Sequence, residues 1–161
     1  MKKADAVKAH LVAALPIFRT NPDQLKVWVD DGRIVSRRTP ALGFEYRYQL
    51  QILAEAVSIG PDDLLIPLLL WLREHQPDLL LRFQEDASAL RFAADILDED
   101  RWNIAVILDL TEAVTLVARP DGSGWDVEHL PEPSPDDPLL PGASQDQSLA
   151  TLFAADRQVL P

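Results

Sequence analysis

Three histidines, His10, His75 and His129, are the only imidazoles in this chain of 161 residues, and it has no cysteine. A zinc site would need all three to converge, because no two are spaced as ligands on one helix or turn would be. Separate structural roles for the three are therefore expected. Asp95, Asp98, Glu99 and Asp100 gather oxygen ligands in one short stretch. They lack the glycine and closing glutamate of a calcium loop, so the stretch reads as a solvated turn. Among twenty-six acidic residues, no pair stands out whose surroundings would separate a general acid from a general base. Nucleophile elbows and glycine-rich phosphate loops are absent too. No catalytic residue, cofactor site or metal site is expected, and the chemistry that remains is that of contact.

Two features suit contact. Arg37 and Arg38, followed by Thr39 and Pro40, form a basic loop able to dock on an acidic partner. Glu45, Arg47, Gln49 and Gln51 fall on one side of an alternating run whose other side is Phe44, Tyr46, Tyr48, Leu50 and Ile52, the period of a half-buried strand. Charge is uneven along the chain. Residues 1–60 hold nine Lys or Arg against six Asp or Glu, a balance of +3, and residues 61–161 hold six against twenty, a balance of −14, within a net charge of −11. This argues against specific nucleic-acid binding, which wants one coherent basic face, and fits a molecule with two unlike sides.

The elements that position these residues follow from periodicity. Residues 3–15 have helical spacing closed by Pro16. Leu25, Val27 and Val29 alternate up to Asp31-Gly32, a pair suited to a tight hairpin, with Ile34 and Val35 starting a return strand. After the alternating run from Phe44, Gly60 and Pro61 open a helix that ends near Gln76 and should kink at Pro67. It is apolar nearly all round from Leu64 to Leu72, more than one domain's surface helix needs. Residues 78–83 read as a turn or short helix. Residues 90–96, 102–110, 114–118 and 125–130 read as four further strands. The expectation is an α+β fold: a mostly antiparallel or mixed sheet of about six to seven strands with two main helices packed on it. It would occupy residues 1–130. A proline-rich acidic linker at 131–146 would lead to a tail at 147–161, where Leu149, Leu152 and Phe153 could line a short amphipathic helix. Asp5, Lys8 and His10 interrupt any signal-peptide core, and residues 64–72 are too short to span a bilayer, so no membrane partner is expected.

The order and spacing of LKVWVDDGRIV (25–35), FEYRYQL (44–50), IPLLLWLREHQPDLL (66–80), RFAADIL (91–97) and VEHLPEP (127–133) resemble the tail completion protein R family of contractile-tailed temperate phages and prophages. The resemblance runs from the opening helix to about residue 133. It implies a structural virion protein, not an enzyme, that completes the head-proximal end of the tail and prepares it for head joining, assembled in the bacterial host cytoplasm. By analogy with tail-terminator proteins of similar size and α+β layout, it implies a ring homo-oligomer, commonly six-fold. Its partners would be the tail tube or sheath protein and a neck or head completion protein. The alternatives are a head-side neck or connector protein, or a small hydrolase using acidic residues.

Overall fold

The computed structural model describes residues 1–36, 43–82 and 89–132. Arg37 and Arg38, and the whole of the expected linker and tail beyond Glu132, including Leu149, Leu152 and Phe153, lie outside them.

Among the described residues the chain forms helices α1 (Lys2–Ala14) and α2 (Pro16–Thr20), a single 3-10 turn at Pro22–Gln24, and strands β1 (Leu25–Ser36) and β2 (Phe44–Val57). Helices α3 (Pro61–His75) and α4 (Pro77–Arg82) follow, and then strands β3 (Leu90–Ile96), β4 (Trp102–Ala118) and β5 (Trp125–His129). The sheet is wholly antiparallel, in the order β1-β2-β4-β3, with β5 also paired to β4. The α+β class holds, with five strands among the described residues against the six or seven expected.

Two expected breaks do not occur. Asp31-Gly32 does not turn the chain. It is a bulge inside β1, where register steps from Asp30↔Gln49 to Arg33↔Arg47 and Asp31 takes φ 42°. The positive φ that suits this dipeptide to a hairpin suits a bulge equally well. Likewise the segments 102–110 and 114–118 are one strand of seventeen residues. β2 carries a second bulge between Ala54 and Val57, with Ala56 at φ 49°. The Ala56 N–H is held by Asn103 Oδ1 at 2.9 Å and its carbonyl by Gln24 Nε2 at 3.0 Å.

The even-numbered residues of β2 and β4 form the floor of the core. Tyr48, Leu50, Ile52 and Ala54 lie beside Leu110, Leu108, Val106 and Ile104, all buried. Against them pack Val7 and Leu11 of α1, Phe18 of α2, Leu64, Leu68, Trp71 and Leu72 of α3, and Leu79 of α4. Each leucine or isoleucine so buried contributes about 1.5–3 kcal/mol. α3 starts as its sequence dictates: Pro61 occupies the first turn and Asp63 Oδ2 accepts the Gly60 N–H at 3.0 Å. The helix runs unbroken through Pro67. Its excess of apolar residues leaves an outward stripe of Ile66, Leu69 and Leu70 in solvent.

Candidate functional site

The polar row expected on the long strand is assembled as read. Glu45, Arg47, Gln49 and Gln51 project from β2 on the side away from the core; Arg47 is exposed and the other three are half-buried. Because β2 is an inner strand, each sits in a cross-strand row. Arg47 lies between Arg33 and Thr111, Gln49 between Asp30 and Asp109, and Gln51 between Trp28 and Ile107. The neighbouring guanidinium groups of Arg33 and Arg47 would repel. Each is instead matched by a carboxylate on its own strand, Arg47 Nε to Glu45 Oε1 at 2.5 Å and Arg33 to Asp31 at 3.3 Å. Lys26 and Glu55 pair across β1 and β2 at 2.5 Å. The result is a polar face with a groove lined by Arg33, Arg47, Gln49, Asp109 and Thr111, carrying three ion pairs and the Asp30 and Asp109 carboxylates on either side of Gln49. Trp28 stands exposed at its side.

The histidines take separate partners. His10 Nε2 lies 3.0 Å from the Pro67 carbonyl, tying α1 to α3. His75 stacks on Trp71 at 4.6 Å between ring centres, and His129 approaches Glu112. In the acidic turn, Asp98 is engaged by Arg101 at 2.5 and 2.8 Å. That hydrogen bond, followed by one from the Asp100 N–H, holds its carboxyl below the usual range. The turn serves its own geometry, and no described group of His, Asp or Glu is arranged to hold a metal ion.

The most consequential polar residue was not singled out by the sequence. Glu112 lies on the core side of β4 with 3% of its surface exposed. α1 has no side-chain cap of its own, and Glu112 supplies one from 110 residues further along the chain. Its carboxylate accepts the N–H of Lys2 at 2.9 Å and of Lys3 at 3.1 Å, and the Tyr48 hydroxyl at 2.5 Å. A negative charge there also suits the positive end of the helix. Burial pushes the Glu112 carboxyl up, but the hydrogen bonds from Tyr48, Lys3 and Lys2 outweigh it and hold the group below its ordinary value. Burial, and then the bond to Glu112, push the Tyr48 phenol up. His129 Nδ1 lies 3.0 Å from Glu112 Oε2, in ion-pair range, without forming a hydrogen bond. The available signal was an acid at a core-facing position of an otherwise apolar alternation.

Gln76, 1% exposed, does similar work at the sheet edge. The outer edge of β4 is served by the Ala89 carbonyl at Asp109 and by the Leu130 N–H at Ala113. Between them Gln76 Oε1 accepts the Thr111 N–H at 3.3 Å while its Nε2 donates to Thr111 Oγ1 at 3.0 Å. Lys3 Nζ completes the joint, donating to Gln76 Oε1 at 2.6 Å and to Glu132 at 2.5 Å. These contacts lock the helices to the sheet, and they leave the opposite face free.

Residues 1–133 match the family described as P2 phage tail completion protein R (GpR). Over 139 residues the chain is 37% identical to Tail completion protein R of Escherichia phage P2, an alignment covering 86% of this chain and 88% of that protein. No solved structure matches.

Proposed function

The chain belongs to the P2 phage tail completion protein R family, and from that premise we propose that it acts in phage tail assembly as one subunit of a ring that finishes the head-proximal end of the tail and readies it for the head. The observation that carries this reading is the sheet's second face. Five strands bear helices on one side, and the other presents Glu45, Arg47, Gln49 and Gln51 beside ion pairs within and between β1 and β2. A polar surface of hydrogen-bonding and ion-paired groups with an exposed tryptophan at its side can take a partner after folding, the tryptophan supplying an aromatic anchor. It would face the ring's interior or the next tail component, the tube or sheath protein on one side and a neck or head completion protein on the other. Arg37 and Arg38 would add basic docking contacts, and Leu149, Leu152 and Phe153 an apolar one. The excess of negative charge would keep the genome from sticking during its passage.

Electron microscopy of tails assembled without this protein tests the reading. Abnormally long or ragged head-proximal ends are expected. Tails of normal length that fail to join heads would move its action to a later step, and normal tails on normal heads would refute it. In the same system, replacing Arg37 and Arg38 by alanine should impair completion, while alanine at Asp98 and Asp100 should not.

A further inference from the structure

Among the described residues, the helical layer is shorter than the sheet beneath it. α1 starts at Glu112, and the residue after α3, Gln76, bonds Thr111. β5, the end of β4 paired with it, and the adjoining ends of β1 and β2 therefore reach past the last helical turn. On the helix-bearing side of this extension the register places Ile34, Phe44, Tyr46, Leu116, Val127 and Trp125. Ile34, Val127 and Trp125 are 67%, 59% and 62% exposed. Sheet and helix end make a step with an apolar tread. The second apolar surface is the outward stripe of α3, where Ile66 and Leu70 are each 60% exposed.

We infer that these two surfaces meet between copies of the chain: the α3 stripe of one copy lies on the sheet extension of the next. The inference rests on the ring reading above and assigns its subunit contact. An apolar helix face on an apolar sheet is how each copy already builds its own core, and the neighbour's α3 continues that layer over the uncovered part of the sheet. Charge favours a second copy as the occupant. Exposed Asp62 and Asp63 lead into the stripe. Across the extension, the carboxylates of the described residues on the same side of the sheet are taken up within the chain, Glu112 buried at the start of α1 and Glu132 paired with Lys3, and exposed Lys2 borders it. The two surfaces are unlike and lie on different parts of the molecule. The contact is therefore head-to-tail, the kind that closes into a ring when its rotation permits.

Leu70→Asp and Trp125→Asp each spoil one surface at an exposed side chain, so far-UV circular dichroism should stay that of the wild type. Sized by light scattering, the full-length wild type should form an oligomer and each variant alone a monomer. Because each variant keeps the surface the other has lost, an equimolar mixture should contain a species of about twice the monomer mass, and nothing larger. A variant that still dimerises alone, or a mixture that does not pair, overturns the assignment. A wild-type oligomer indifferent to both substitutions overturns it and leaves the ring standing. A wild type that stays monomeric, both alone and on tail tubes, overturns the ring and this contact with it.

Discussion

Replacing Glu112 with alanine removes the acceptor that joins the start of α1 to the middle of the sheet. Three donors lose their partner: the Tyr48 hydroxyl, at 2.5 Å, and the N–H groups of Lys2 and Lys3, at 2.9 and 3.1 Å. Loss of a helix cap costs about 1 kcal/mol. Stranding a buried hydroxyl costs about 1–3 kcal/mol more. The expected loss is thus about 3 kcal/mol, a fall of roughly 10–15 °C in the melting midpoint for a domain of this size. Glu112→Gln keeps the volume and one acceptor oxygen, and should cost about half as much. Acid supplies an independent check. The folded-state pKa of Glu112 is depressed, so its contribution is fully present above the unfolded value of about 4.3, and is lost as pH falls through the folded value. The gap between wild type and Glu112→Gln should therefore be widest at neutral pH and narrow in acid. Thermal melts followed by circular dichroism from pH 7 downward would measure both effects. An alanine variant that melts with the wild type at pH 7, or a gap that persists unchanged in acid, would refute the reasoning.

Gln76→Leu should destabilise by about 1–3 kcal/mol in urea titrations, since it leaves the Thr111 backbone donor without its acceptor and takes one of two acceptors from the Lys3 ammonium. The Thr111 amide should then lose protection in hydrogen exchange. Ala56→Gly should stabilise by about 0.5–1 kcal/mol, measured by the same titration, because Ala56 is held at φ 49° where a Cβ is strained and glycine is not.

The core was largely legible because burial writes a period into the sequence. Strands 25–29, 44–52, 90–96 and 102–110 follow alternations, and the boundaries of α3 follow Gly60-Pro61 and Gln76-Pro77. The strand count failed where one local signal serves two geometries. Asp31-Gly32 permits a hairpin or a bulge, and what separates them is phase: the core-facing side changes from odd residues (Leu25, Val27, Val29) to even (Ile34), a slip of one that a bulge produces. In β4 the phase never changes from Ile104 to Leu116, which is the mark of one strand. The polar pair Thr111-Glu112 interrupted the composition without interrupting the period. Glu112 and Gln76 stayed hidden for another reason. Each serves backbone donors distant in sequence, so the alternation could mark Glu112 as out of place without naming its partners. The polar row of β2, by contrast, needed only its own alternation to be seen.

That α1 is capped from Glu112 has a consequence for the order of events at the ribosome. The helix that is made first cannot be finished until residue 112 has emerged, and at about 5–20 residues per second that interval is roughly 5–20 s. An alanine-rich helix of thirteen residues is marginal on its own, so during this time the segment should sample helix without keeping it. Closing this long loop, from Lys2 to Glu112, would then be among the last steps of folding. Refolding followed by pulse-labelled exchange should show the Lys2 and Lys3 amides protected after those of the β2–β4 ladder.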